Sequence, residues 1–300
     1  MRFEQIISNL ISQIKKMFKR LLVALDLTEM DDFLLDYIQF FIHQFETKEL
    51  YFVHNIKSYD LPDSIDVILA EIGKPLEQLV LEEMNEKIEG VFSESEVKRY
   101  TIVKQSASTA HTLTKVANEL KADAIVLGKK NAFKGTGVQV NKILRLTEKS
   151  VLLVPDWAYQ RISKVVVPVD FSKHSKLVLN AAFEISESSK TDLVPLHVYQ
   201  LPRWFFPYVP EEKANKSLLE NAKKSYQKII NNTKINVECR FLSGEGKGIA
   251  QRIYDYAARN QADLLVIGLK GRNQVTGFQL GSVAAKVSQM EWHIPVLLIR

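Results

Sequence analysis

Apolar residues along this chain fall into short unbroken runs, separated by longer stretches with helical spacing. Leu21-Leu22-Val23-Ala24-Leu25 opens the series and ends in Asp26, and an amphipathic stretch from Phe33 to Phe45 follows. Leu50-Tyr51-Phe52-Val53-His54 is the next run, then a longer loop and a second helical stretch. Runs of about five apolar residues predict strands covered on both faces, and their alternation with helices predicts βαβ units in a parallel sheet. Right-handed crossovers then make the sheet open and doubly wound.

The same order of signals occurs twice. Val165-Val166-Val167-Pro168-Val169 ends in Asp170, a helical stretch runs from Leu177 to Ile185, and Leu193 to Val198 again carries a histidine, His197. Ala122-Asp123-Ala124-Ile125-Val126-Leu127-Gly128 faces Ala262-Asp263-Leu264-Leu265-Val266-Ile267-Gly268, and each half closes on an apolar run, Val151–Val154 and Val296–Ile299. The expected fold class is α/β, with two open parallel sheets of five strands and about four helices per half. The domains are expected at 19–156 and 162–300, after an N-terminal amphipathic helix at 1–18. The linker around 156–162 is short and not rich in Gly or Ser, which predicts halves that pack together rather than tumble.

Length and composition agree. Three hundred residues suit two domains. With 46% hydrophobic and 25% charged residues, the chain is neither disordered nor collagen-like. No run of about 18 apolar residues offers a membrane span. One cysteine, Cys239, excludes an intrachain disulfide framework and a Cys-rich zinc site, which fits a cytoplasmic protein; Cys239 itself is expected to be a buried strand residue. Of the net charge of +5, a balance of +4 lies in residues 1–20, so no footprint for nucleic acid covers the chain. Ile6, Ile7, Leu10, Ile11, Ile14 and Met17 form the apolar stripe of that basic segment. It suits packing on its own protein, a partner or dimer contact, or a membrane surface.

Candidate chemistry lies where an open α/β sheet binds ligands, outside the carboxyl ends of its strands. Gly268-Leu269-Lys270-Gly271, nine further residues and Gly281-Ser282 follow the fourth strand of the second half. Glycines let backbone N–H groups approach an anion, and a helix N-terminus adds unpaired donors. Ser282 would lend a hydroxyl or cap the helix, and the glycines serve a phosphate or simply make turns. Ser243-Gly244-Glu245-Gly246-Lys247-Gly248 fails both the Walker and the dinucleotide patterns. No catalytic or metal-binding constellation is evident. His54 and His197 read as packed or hydrogen-bonded rather than acid–base groups.

The pattern Gly-x2-Gly-x9-Gly-Ser, after a strand beginning Ala-Asp and before a Pro-Val-Leu strand, resembles the universal stress protein family, in its ATP-binding subgroup. Val-Pro-Val-Asp-Phe-Ser at 167–172 and Leu196-His197-Val198 resemble it too. The resemblance covers nearly the whole chain as a tandem pair. It implies Val169 and Asp170 at the adenine and ribose end, and Val198 offering backbone to the adenine. Gly268, Gly271, Gly281 and Ser282 would surround ribose and phosphates, with Val283 continuing the helix start. Mg2+ would ride on the phosphates. It also implies an internal pseudo-dimer paired through the last strands, Val151–Val154 and Val296–Ile299.

The first half departs from the pattern. Asn131 stands at the second glycine, and counting nine residues on puts Asn141 and Lys142 at the Gly-Ser place. That half is expected to hold a degenerate site. The expected function is a stress-response nucleotide-binding switch, with ATP in the second domain and little turnover. The alternatives are a nucleotide-free interaction scaffold and a slow ATPase or nucleotidyl-transfer enzyme. Residues 201–210, Leu-Pro-Arg-Trp-Phe-Phe-Pro-Tyr-Val-Pro, are expected to pack on the protein or to dock a partner. A homo-oligomer is compatible with all of this.

Overall fold

The computed structural model describes residues 18–57, 69–130, 136–200, 208, 210–231, 233–244, 247–270, 280–291 and 293–300, with the backbone alone at 136–138. The expected N-terminal helix, apart from Phe18, lies outside these residues. So do 201–207 and 209 of the aromatic loop, and Gly271. The chain divides into two compact units, with the change between Gln160 and Arg161.

The first unit runs β1 (Arg20–Ala24), α1 (Met30–Phe45), β2 (Glu49–Ile56), α2 (Leu76–Phe92), β3 (Lys98–Gln105), α3 (Thr109–Glu119), β4 (Ala124–Lys129), α4 (Thr136–Leu146), β5 (Ser150–Pro155). Its strands lie in the order β3-β2-β1-β4-β5. All its pairings are parallel, with Leu22 opposite Tyr51 on one side and Ile125 on the other. The second unit repeats this with β6 (Lys164–Pro168), α5 (Lys173–Ser189), β7 (Asp192–Tyr199), α6 (Glu211–Ile230), β8 (Arg240–Ser243), α7 (Ile249–Arg259), β9 (Leu264–Gly268), α8 (Ser282–Gln289), β10 (Val296–Ile299). Its order is β8-β7-β6-β9-β10, again parallel. In both units the strand order reverses beside the first strand, between β1 and β4 and between β6 and β9. A crevice opens there at the carboxyl ends.

The central strands are apolar because helices cover both faces. Leu21, Leu22 and Val23 of β1 and Val165, Val166 and Val167 of β6 have no measurable exposure. In the first unit Phe41 of α1 is the centre of an aromatic cluster. Its ring meets Phe18 edge-on at 5.1 Å and Phe45 at 4.4 Å. Helices α1 and α5 begin three and four residues before their first expected positions. Polar caps start a helix ahead of its apolar stripe: Ser175 N–H donates to Ser172 Oγ at 3.0 Å. Cys239 departs from expectation: it precedes β8 and is only half-buried.

The Ala-Asp pair before β4 and β9 has a structural task. Asp123 Oδ2 accepts Arg20 N–H at 2.8 Å. Asp263 accepts Ser163 N–H, Lys164 N–H, Ser163 Oγ–H and Arg161 Nε–H, at 2.6 to 3.0 Å. Each carboxylate thereby ties the start of its unit's first strand to the start of the fourth. Burial raises the Asp263 pKa, but the bonds from Ser163 and Arg161 outweigh it and hold the carboxyl below its ordinary 3.8.

Two outcomes follow. Asp263→Ala leaves buried donors unpaired and is expected to cost about 1–3 kcal/mol in denaturant titration at pH 7. A depressed folded-state pKa gives stability present above 3.8 and lost as pH falls below it, so the variant should lose less stability than wild type in acid. Phe41→Ala opens a cavity under α1 and is expected to cost about 3–5 kcal/mol, read as a lower unfolding midpoint.

Candidate functional site

Each crevice holds a cavity. That of the second unit has a volume of about 470 Å3 and that of the first about 510 Å3. Both lie within the about 300–1,000 Å3 of small-molecule sites. The two share a frame. Val169 N–H donates to Leu196 O at 2.8 Å and Leu25 N–H to Val53 O at 3.0 Å. His197 Nδ1–H donates to Val169 O at 2.7 Å, and His54 Nδ1–H to Leu25 O at 2.9 Å. These histidines are hydrogen-bonded parts of the frame. The residue after each strand-end aspartate is left-handed, Leu27 at φ 59° and Phe171 at φ 62°. That backbone is costly for a residue with a Cβ, and such strain clusters at ligand sites.

In the second unit, Val169, Asp170, Val198, Gly268, Gly281, Ser282 and Val283 all line the one cavity. Gly271 lies outside the described residues. Gly281 is the N-cap of α8 and Ser282 its first residue, so the serine does not cap the helix. Gly281 N–H is spent on Leu269 O at 2.8 Å. The first intrahelical bond runs from Ala285 N–H to Gly281 O, so the N–H groups of Ser282, Val283 and Ala284 have no carbonyl inside the helix. Lys270 lines the same cavity. Donors and a cation therefore gather around the positive end of a helix.

Sequence reasoning missed three polar lining residues, His174, Ser175 and Lys270. His174 sits four residues after Asp170, where the first turn of α5 crosses the end of β9. Its Nε2–H donates to Ile299 O at 3.2 Å. Burial holds its pKa below the ordinary imidazole value, against that hydrogen bond. The ring also explains a glycine. A Cβ on Gly268 would stand 2.7 Å from His174 Cδ2, as one on Gly128 would stand 2.7 Å from Met30 Cγ. In both units the strand-end glycine makes room for the helix that follows the first strand.

The first unit corrects the nine-residue count. Buried residues of α4, Val140, Ile143 and Leu144, match Ala284, Val287 and Ser288 of α8. Lys142 Nζ donates to Ser108 Oγ, the cap of α3, at 3.3 Å. Lys286 Nζ stands in the same way 3.9 Å from a Cβ built on Gly248, the cap of α7. Lys142 thus corresponds to Lys286, and positions 137 and 138, Gly and Val, correspond to Gly281 and Ser282. Asn141 and Lys142 do not occupy the Gly-Ser place. Between the strand-end glycine and these positions the first unit is four residues shorter, eight against twelve, and a count along the chain cannot register the change.

Other differences lie in side chains. Asp26 accepts Thr28 Oγ1–H at 2.5 Å and pairs with Lys130 Nζ at 2.9 Å. Burial raises its pKa, but those two partners prevail and hold it below 3.8. Met30 and Asp31 stand where the second unit has His174 and Ser175. Asp31 accepts Asp26 N–H at 3.1 Å and Leu27 N–H at 2.8 Å, as Ser175 Oγ accepts Asp170 N–H at 3.1 Å. Burial, aided by the Asp26 charge, pushes the Asp31 pKa up to about 6 against those two bonds.

Among the described residues no helix is long and apolar enough to cross a membrane, and no group of three or more His, Cys, Asp or Glu is placed to hold a metal ion.

Comparison with known proteins accounts for this architecture. The sequence model of the Universal stress protein family matches twice, at residues 17–155 and 161–300. The chain is 29% identical over 151 residues to universal stress protein YxiE of Bacillus subtilis, covering 46% of this chain and 99% of that one. It is 28% identical over 183 residues to universal stress protein Slr1230 of Synechocystis, covering 59% and 58%. Among solved structures, a universal stress protein from Archaeoglobus fulgidus shares the fold over 94% of this chain and 98% of its own, with a TM-score of 0.64 at 19% identity. Two matches to one family model, each spanning a complete five-stranded unit, make this chain a tandem member of the universal stress protein family.

Proposed function

We propose that the second domain binds ATP in the cavity between Asp170 and the start of α8, and that the bound nucleotide acts as a switch with little turnover. One observation carries the reading: seven of the eight residues marked by the glycine pattern and the strand ends line a single cavity, together with Lys270. The N–H groups of Ser282, Val283 and Ala284 and the Lys270 ammonium hold the phosphates. Asp170 and the backbone of Val169 and Val198 meet ribose and adenine. Mg2+ shields the phosphate charge, and Asp170 is the one carboxylate among the described residues of that lining. The output is a change in the loop around the nucleotide, read by a partner protein.

A second reading, a nucleotide-free scaffold, draws on Gly268. The packing of His174 explains that glycine without a ligand.

Titration calorimetry of nucleotide-stripped protein with Mg-ATP decides between them. One ATP per chain is expected. Gly281→Val and Lys270→Ala should each weaken binding about tenfold or more, ~1.4 kcal/mol. Asn141→Ala should leave it unchanged. Absence of heat and of retained nucleotide in wild type would overturn the proposal in favour of the scaffold.

A further inference from the structure

Asp31 does more than its position in the fold requires. Ser175, its counterpart, meets the same backbone N–H with an uncharged hydroxyl. Asp31 adds a formal negative charge at a residue only 1% exposed. A buried charge is costly unless it is paired. Among the described residues no cation stands within ion-pair distance of it. Lys87 on α2 pairs with Asp32, and Lys130 pairs with Asp26. The two backbone bonds leave each carboxylate oxygen with a lone pair to spare.

Asp31 belongs to the lining of the first cavity, whose walls are mostly apolar: Val53, Leu76, Val80, Leu113, Leu127 and Val140. Of the other polar residues, Asn55 and Thr109 bond to each other, and Gln139 belongs to the first turn of α4. Asp26 keeps its carboxylate on the lining. His54 spends Nδ1–H on Leu25 O, so in the neutral ring Nε2 accepts. Lys57, also on the lining, is engaged in a contact of its own. The second cavity holds one carboxylate against two here, with Lys270 and the start of α8.

We propose that the first-domain cavity binds a small organic cation, an amine or amidine on an apolar body, whose N–H groups bond to Asp31. The duplicated frame thereby serves two ligands of opposite charge. The lining recognises an apolar ring or chain by contact and a cationic end by the buried carboxylate.

The test uses full-length protein and benzamidine, with benzamide and benzoate as neutral and anionic probes of the same shape. Methyl NMR spectra locate the binding. Benzamidine is expected to shift the Val53, Leu113 and Val140 methyls and to bind about tenfold or more tighter than benzamide, with benzoate weakest. Asp31→Ser and the closer isostere Asp31→Asn are expected to bring benzamidine down to the level of benzamide. The reciprocal Ser175→Asp should give the second cavity affinity for it. Equal binding of the three probes to wild type would overturn the proposal without any variant. So would shifts confined to other methyls, or undiminished binding in a folded Asp31 variant. None of these outcomes depends on whether ATP binds the second domain.

Discussion

Burial of a parallel sheet on both faces is the constraint from which the rest of each domain follows. With helices on either side, every residue of the central strands must be apolar, as Leu21–Val23 and Val165–Val167 are. Polar chemistry is thereby expelled to the strand ends. At the amino ends a carboxylate, half-buried Asp123 or buried Asp263, collects N–H groups that the first strand leaves unpaired. At the carboxyl ends the reversal of strand order opens a crevice. A left-handed residue, Leu27 or Phe171, turns the chain from the first strand into its helix and lets the following residues line that crevice.

This logic decides what could be read from the sequence. The strands were legible because apolar runs have no other reading at that length, and the repeat because Asp26 and Asp170, Gly128 and Gly268 recur in the same order. Helix starts were less so: α5 begins on polar residues, and Asp31-Asp32 separate Met30 from the apolar stripe of α1. The candidate site was legible where it rests on glycines and strand ends. His174, Lys270 and Asp31 were not, because each is one polar residue on a helix start or loop, and only the fold shows that it faces a cavity. The Asn141–Lys142 assignment failed for a related reason. Spacing along the chain measures residues, whereas the position of α4 is set by packing, and a shorter loop leaves the helix in place while the count shifts.

The two cavities show how little is needed to change the character of such a site. The backbone frame is held in common by the His54 and His197 bonds to Leu25 and Val169. Two neighbouring positions on one helix turn, Met30-Asp31 against His174-Ser175, put a carboxylate on the first lining where the second has an uncharged hydroxyl. A third difference lies at Asp26, which pairs with Lys130, whereas no lysine pairs with Asp170 among the described contacts. Gly128 and Gly268 persist through this, each leaving room for a side chain of the helix that follows the first strand.

The aspartate ties at the amino ends have a consequence for evolution. They place the residues whose loss threatens folding at one edge of the sheet, and the residues that choose a ligand at the other. After gene duplication, drift at the ligand edge then carries a small risk of unfolding. Specificity can diverge by single substitutions while each intermediate protein stays folded, and a selective advantage need appear only once the new ligand is met.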